Sequence, residues 1–123
     1  MCSSTSVTKV LSSQKLIEME NLSEAKWVVI FISKKNKDLP GYAETQDLML
    51  EKVKGVPGFV GVQSFMNEWG QGVTLSYWNS RESIKMWGND SEHKIAKNRG
   101  KLEWYSEYQI IITKVDKYLS FNS

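Results

Sequence analysis

KWVVIFISK, Lys26–Lys34, is apolar on both of the faces that a strand presents. Successive residues of an extended chain point to opposite sides, so Trp27, Val29 and Phe31 share one face and Val28, Ile30 and Ile32 the other. Both series are β-branched or aromatic, which predicts a strand. EYQIIITKVDKY, Glu107–Tyr118, repeats the pattern with Ile110 and Ile112 on one side and Ile111 and Val115 on the other. A half-solvated antiparallel strand alternates apolar with polar residues, and these two do not.

Between these strands the punctuation is clear. KNKDLPG breaks the chain at Pro40 and Gly41. YAETQDLMLEKVK, Tyr42–Lys54, places Tyr42, Met49 and Val53 at helical spacing, and Gly55 with Pro57 ends the helix. GFVGVQSFMN, Gly58–Asn67, alternates Val60, Val62 and Met66 against Phe59 and Phe65. It is joined through the glycine-bearing turn EWGQG to VTLSYW, Val73–Trp78, as a hairpin. Asn79 with Glu82, and Asn89 with Glu92, each pair a cap residue with a glutamate three positions on. They predict a helix over 80–87, a break at GND, and a second helix through about Lys101.

The resulting order is β-α-β-β-α-β, an α+β ferredoxin-like fold with a four-stranded antiparallel sheet and both helices on one face. Two helices cover one face only. The other is expected to be covered by a second copy of the chain, a homodimer. About six apolar side chains there, at roughly 1.5–3 kcal/mol each, would contribute on the order of 10 kcal/mol before the entropic cost of association.

The chain has 123 residues, enough for one domain with its own core. Residues 1–23 are polar and aperiodic and are expected to form a flexible N-terminal arm; the domain is expected over 24–123. With Cys2 the single cysteine, no disulfide framework forms within one chain. A net charge of +2 and the absence of a basic stripe exclude nucleic acid as the expected partner. The first residues contain no apolar run of secretory type, and no segment approaches the roughly 18 apolar residues of a membrane span, so the expectation is a cytoplasmic protein.

Chemistry is concentrated in SYWNSRESIKMWGNDSEHKIAKNRG, Ser76–Gly100. It holds His93, the only histidine, whose ordinary titration lies near neutrality and which is therefore the candidate for proton transfer. Trp78 closes a strand, Trp87 closes a helix, and Trp104 with Tyr105 follows the next, so aromatics are expected to gather near one end of the sheet. Such residues suit a pocket for a flat ligand and suit a core equally well. Arg99 and Asn89 are candidates to steady a ligand oxygen. No metal, nucleotide or nucleophile motif is present.

PGF (Pro57–Phe59), SYWNSRES, WGNDSEHKIAKNRG and WYSEY together resemble the antibiotic biosynthesis monooxygenase (ABM) domain family over about Lys26 to Tyr118. The resemblance implies a dimeric α+β barrel with the sheets face to face and a pocket between helices and sheet. It implies oxidation of a small aromatic or quinol-like molecule without cofactor, with His93 as proton acceptor and Trp78, Trp87, Tyr105, Arg99 and Asn89 around the substrate. Trp78 matches the strand-end tryptophan of the polyphenol oxygenases, whose asparagine and tyrosine positions carry Thr74 and Ile84 here. Trp87 matches the helix tryptophan of the haem-degrading branch, whose histidine position carries Lys97. Haem binding, or a non-enzymatic dimer that holds a small ligand, remains the alternative.

Overall fold

The computed structural model describes residues 21–123. The expected arm, apart from its last three residues, and Cys2 lie outside them. The elements are β1 (Trp27–Lys35), α1 (Tyr42–Val53), β2 (Phe59–Met66), β3 (Gln71–Trp78), α2 (Arg81–Gly88), α3 (Ser91–Arg99), a π-helical turn (Gly100–Trp104) and β4 (Tyr105–Lys114). The strands form one sheet in the order β2-β3-β1-β4, every neighbour antiparallel. This is the expected α+β ferredoxin-like arrangement.

The register sorts the side chains. Val29 lies opposite Ser76 and Ile112, and Phe31 opposite Thr74 and Ile110, all on one face. Ile30 lies opposite Leu75 and Ile111 on the other. The helices lie over the first face. Phe31 packs edge-on to Tyr105 at 5.2 Å, Tyr105 neighbours Tyr42 of α1, and Arg81 of α2 stands over the Trp27 ring at 5.5 Å. On the second face Ile32, Phe65 and Ile111 are 44%, 54% and 46% exposed. The two-sided reading of β1 and β4 is therefore seen in the folded subunit.

Three local expectations are corrected. The caps are Ser80 and Asp90, not Asn79 and Asn89: Ser80 accepts from the Ser83 amide at 3.1 Å and Asp90 from the His93 amide at 3.0 Å. Each cap lies one residue later than the glutamate spacing indicated, because a hydroxyl or carboxylate already stood in the capping position. The last strand runs Tyr105–Lys114, not to Tyr118. The Val115 amide still reaches the Lys26 carbonyl at 2.9 Å, but β1 begins at Trp27 and offers residues beyond it no partner. In β2 a bulge between Phe59 and Gly61 puts Phe59 and Val62 on the same face, breaking the simple alternation.

Among the described residues the buried apolar side chains are Ala25, Val53, Trp78 and Trp104. Trp78 and Trp104 are separate plugs, and the sheet between them is only half covered.

Candidate functional site

Trp78 and Tyr105 do not meet. Trp78 pairs with Trp27 at the start of β1, and Tyr105 pairs with Lys35 at its end. Eight residues of strand separate them, about 26 Å at roughly 3.3 Å per residue. Both β3 and β4 run antiparallel to β1, so the end of one and the beginning of the other lie at opposite ends of the sheet. The segment α2-α3 spans that length. The expected gathering of aromatics is thus two groups, one at each end.

At the first end Trp78 is 1% exposed, donates from Nε1 to Ser76 Oγ at 2.9 Å, and meets Phe59 edge-on at 5.3 Å. Gly58 makes this closure. Its φ of +91° is left-handed, and a Cβ there would lie 2.5 Å from Asn79 Oδ1 and closer still to Ser83 Oγ.

At the second end two irregularities converge. The pairing of β1 with β4 shifts between Lys34 and Lys35, and the π-helical turn delivers Trp104 and Tyr105 beside it. Bulges and π turns re-aim side chains, and both recur beside functional sites. Trp104 is buried, with Nε1 donating to the Pro40 carbonyl at 2.8 Å and Tyr42 edge-on at 5.2 Å. Arg99 donates to the same carbonyl at 2.8 Å and to Glu103 at 3.1 Å, while its guanidinium covers Trp104 at 5.3 Å. Its donors thus clamp the loop before α1 to the π turn. Gly41 makes room for that clamp, since a Cβ would lie 2.7 Å from Arg99 Nη1.

Around Tyr105 stand Phe31, Tyr42 and Tyr108, with Tyr108 at 5.9 Å and Lys35 Nζ 5.8 Å from the Tyr105 ring centre. Burial first, then the neighbouring Tyr42 hydroxyl, pushes the Tyr105 phenol above the ordinary tyrosine range, so it is a neutral O–H at physiological pH. Gln46 Nε2 donates to the Tyr42 hydroxyl at 3.0 Å.

His93 and Trp87 form a third group in the helix layer. The two rings stack at 4.1 Å and 14°, and His93 Nδ1 lies 2.9 Å from the Trp87 carbonyl. A carbonyl only accepts, so Nδ1 carries the proton and Nε2 is left as an acceptor. Burial, opposed by the Trp87 carbonyl and reinforced by Lys97, holds the imidazole below its usual range and hence neutral at pH 7. Asn89 ends α2, exposed, next to the Asp90 cap. Lys52 of α1 reaches Asp90 at 3.5 Å and hydrogen-bonds Glu92, tying α1 to α3. Asp90 is held below the usual carboxylate range, first by the His93 amide. Among the described residues no cluster of His, Cys, Asp and Glu forms a metal-holding group.

The structure thus brings Trp87, His93 and Asn89 to one end of α3 and Arg99 to the other, near Tyr105, with about 9 Å of helix between at roughly 1.5 Å per residue. Lys35, Tyr42, Phe31 and Tyr108 were not singled out from sequence. Lys35 ends a strand in an ordinary lysine pair and Tyr42 opens a helical stripe; only the bulge and the π turn, invisible to periodicity, unite them.

No family model matches the chain. The uncharacterized protein YqjZ of Bacillus subtilis (strain 168) is 39% identical over 95 residues, which are 77% of this chain and 83% of YqjZ. SnoaB, a cofactor-independent oxygenase from Streptomyces nogalater, superposes with a TM-score of 0.65 at 8% identity, over 77% of this chain and 97% of its own. A crystal structure of an antibiotic biosynthesis monooxygenase gives 0.62 at 10% identity, over 74% and 99%.

The chain belongs to the family of YqjZ and has the fold of the ABM structures.

YqjZ is its family relative by sequence, and the solved ABM-fold structures share its architecture through nearly their whole lengths. Among the described residues of this YqjZ relative no helix is long and apolar enough to cross a membrane.

Proposed function

We propose that the protein is a cofactor-independent monooxygenase that acts on a small aromatic or quinol-like ring held between helices and sheet, in each subunit of a homodimer. The carrying observation is the apolar surface left open on the helix-facing side of the sheet. Ile110 is 50% and Ile112 37% exposed there, beside the half-buried Phe31, Val29 and Tyr105. A close-packed interior would have covered them. Apolar walls with a few polar tips suit a flat ring, and SnoaB, which shares the fold, is a cofactor-independent oxygenase.

The chemistry balances without an added reductant. A ring methylene loses one proton to a base, and the resulting carbanion supplies electrons to O2. One oxygen atom becomes the product carbonyl, and the other leaves as water with the two hydrogens the substrate loses. His93 Nε2 is the proton acceptor, presented by the Trp87 carbonyl at Nδ1 and neutral because buried. Trp87 and Tyr105 form walls and Asn89 steadies an oxygen, while Trp78, buried at the opposite end of the sheet from Tyr105, braces the fold without touching the ring. Arg99 acts through its hold on Pro40 and Trp104.

The test is oxygen uptake with a panel of ionisable ring compounds, products read by mass spectrometry. One O2 consumed per product and a loss of about 10²–10⁴-fold in kcat for His93→Ala are expected. No uptake with any ring, or unchanged turnover in the variant, overturns the reading. A stoichiometric Soret shift on titration with haem would overturn its cofactor-free part.

A further inference from the structure

We propose that Lys35 is the anion-holding group of this site, so that the slot between α1 and the sheet selects a ring bearing an ionised oxygen, a phenolate or enolate, over its neutral counterpart. The inference rests on the functional reading above for the slot, and it adds the charge state of what enters it.

The Lys35 ammonium lies over two aromatic rings, 5.6 Å from the Tyr42 centre and 5.8 Å from that of Tyr105. Among the described residues it forms no hydrogen bond and no ion pair, although Arg99 beside the same loop has both. An ammonium whose protein neighbours are ring faces has donors left for a ligand, and an oxyanion is the group that takes them. The backbone makes space for this placement. A Cβ on Gly72, the partner of Ser33 in the sheet, would come within 3.1 Å of Lys35 Nζ, so the bare position there is what lets the ammonium lie where it does. Plain alternation puts Lys35 on the face of Phe31, and the extra residue of β4, Ser106, brings Tyr105 rather than Ser106 opposite it.

The surrounding groups suit an anion. Tyr105 is a neutral hydrogen-bond donor and not a competing phenolate. Tyr42 receives a hydrogen bond from Gln46 and its hydroxyl meets that of Tyr105, so one proton of the two phenols remains for a ligand. Phe31 and Tyr108, 5.3 Å apart, supply apolar ring surface alongside.

The experiment measures binding to the full chain by calorimetry, with para-nitrophenolate against nitrobenzene, which has the same ring and no oxyanion. The wild-type chain is expected to prefer the phenolate by about ten- to a hundredfold, the span of a charge-assisted hydrogen bond. Lys35→Met keeps the stem over the rings and should erase the preference while nitrobenzene still binds; Lys35→Arg should retain it. Gly72→Ala, which displaces the ammonium without removing it, should reduce it. Equal binding of the two rings by the wild type, a preference that survives in Lys35→Met, or binding of neither ring overturns the proposal. An anion preference without oxygen uptake would instead overturn the monooxygenase reading and leave Lys35's role standing.

Discussion

Ile111→Lys should convert the protein from dimer to monomer without unfolding it. Ile111 sits on the helix-free face in the row Leu75, Ile30, Ile111 and is 46% exposed in the single subunit. Full burial of isoleucine stabilises by roughly 1.5–3 kcal/mol, so covering the open half contributes about 0.7–1.4 kcal/mol per copy. Twofold symmetry doubles this to about 1.5–3 kcal/mol. The substitution removes that term and places two ammonium groups where each must be dehydrated, which costs several kcal/mol more per ion. A total above about 4 kcal/mol corresponds to at least a thousandfold weaker dimer. The lone subunit loses little, because lysine at a half-exposed strand position lays its stem on the sheet and its charge in water.

Analytical ultracentrifugation over a concentration series, with circular dichroism for the fold, reads both halves. The expected result is a wild-type dimer at micromolar concentration and a folded monomer for Ile111→Lys. A wild-type monomer at that concentration refutes the reasoning, since the exposed Ile32, Phe65 and Ile111 would then be stable in water. A variant that remains dimeric would place the contact on another surface.

Acidification should destabilise the fold between neutrality and about pH 5 in a manner that His93→Gln removes. The folded imidazole is held below its ordinary value, so below that value the unfolded chain binds the proton more readily and stability falls as pH falls. Urea midpoints across this range check it; an unchanged slope in His93→Gln, which keeps a donor for the Trp87 carbonyl, counts against the buried neutral ring. Gly58→Ala should cost about 2–5 kcal/mol, combining left-handed backbone strain with crowding against Asn79 and Ser83. Adding Ser83→Gly should recover the crowding part in urea denaturation, and a single-variant loss below about 1 kcal/mol would contradict the close approach.

The architecture was readable because it rests on side-chain alternation and on turn residues, both written in order along the chain. Trp27 to Ile32 revealed a strand with two apolar faces, and Pro40, Gly41, Gly55 and Pro57 delimited α1 to within a residue. The site was readable only where it is local. Trp87 and His93, six residues apart, meet because a short helix, a cap and another short helix fold back on one another. Trp78 and Tyr105 could not be placed from spacing, because their separation depends on strand direction and register, which no short stretch carries.

Lys35 shows the limit most sharply. Its neighbours come from α1, β3 and β4, and the contact depends on an extra residue in β4 that brings Tyr105 opposite it and on an absent Cβ at position 72. A lysine at the end of a strand is ordinarily solvated, and nothing within several residues of it argues otherwise. What distinguishes this one is the company it keeps in space: two rings beneath the ammonium and, among the described residues, no carboxylate against it. A cation set over two rings with no carboxylate against it is the feature from which a ligand's own charge is inferred.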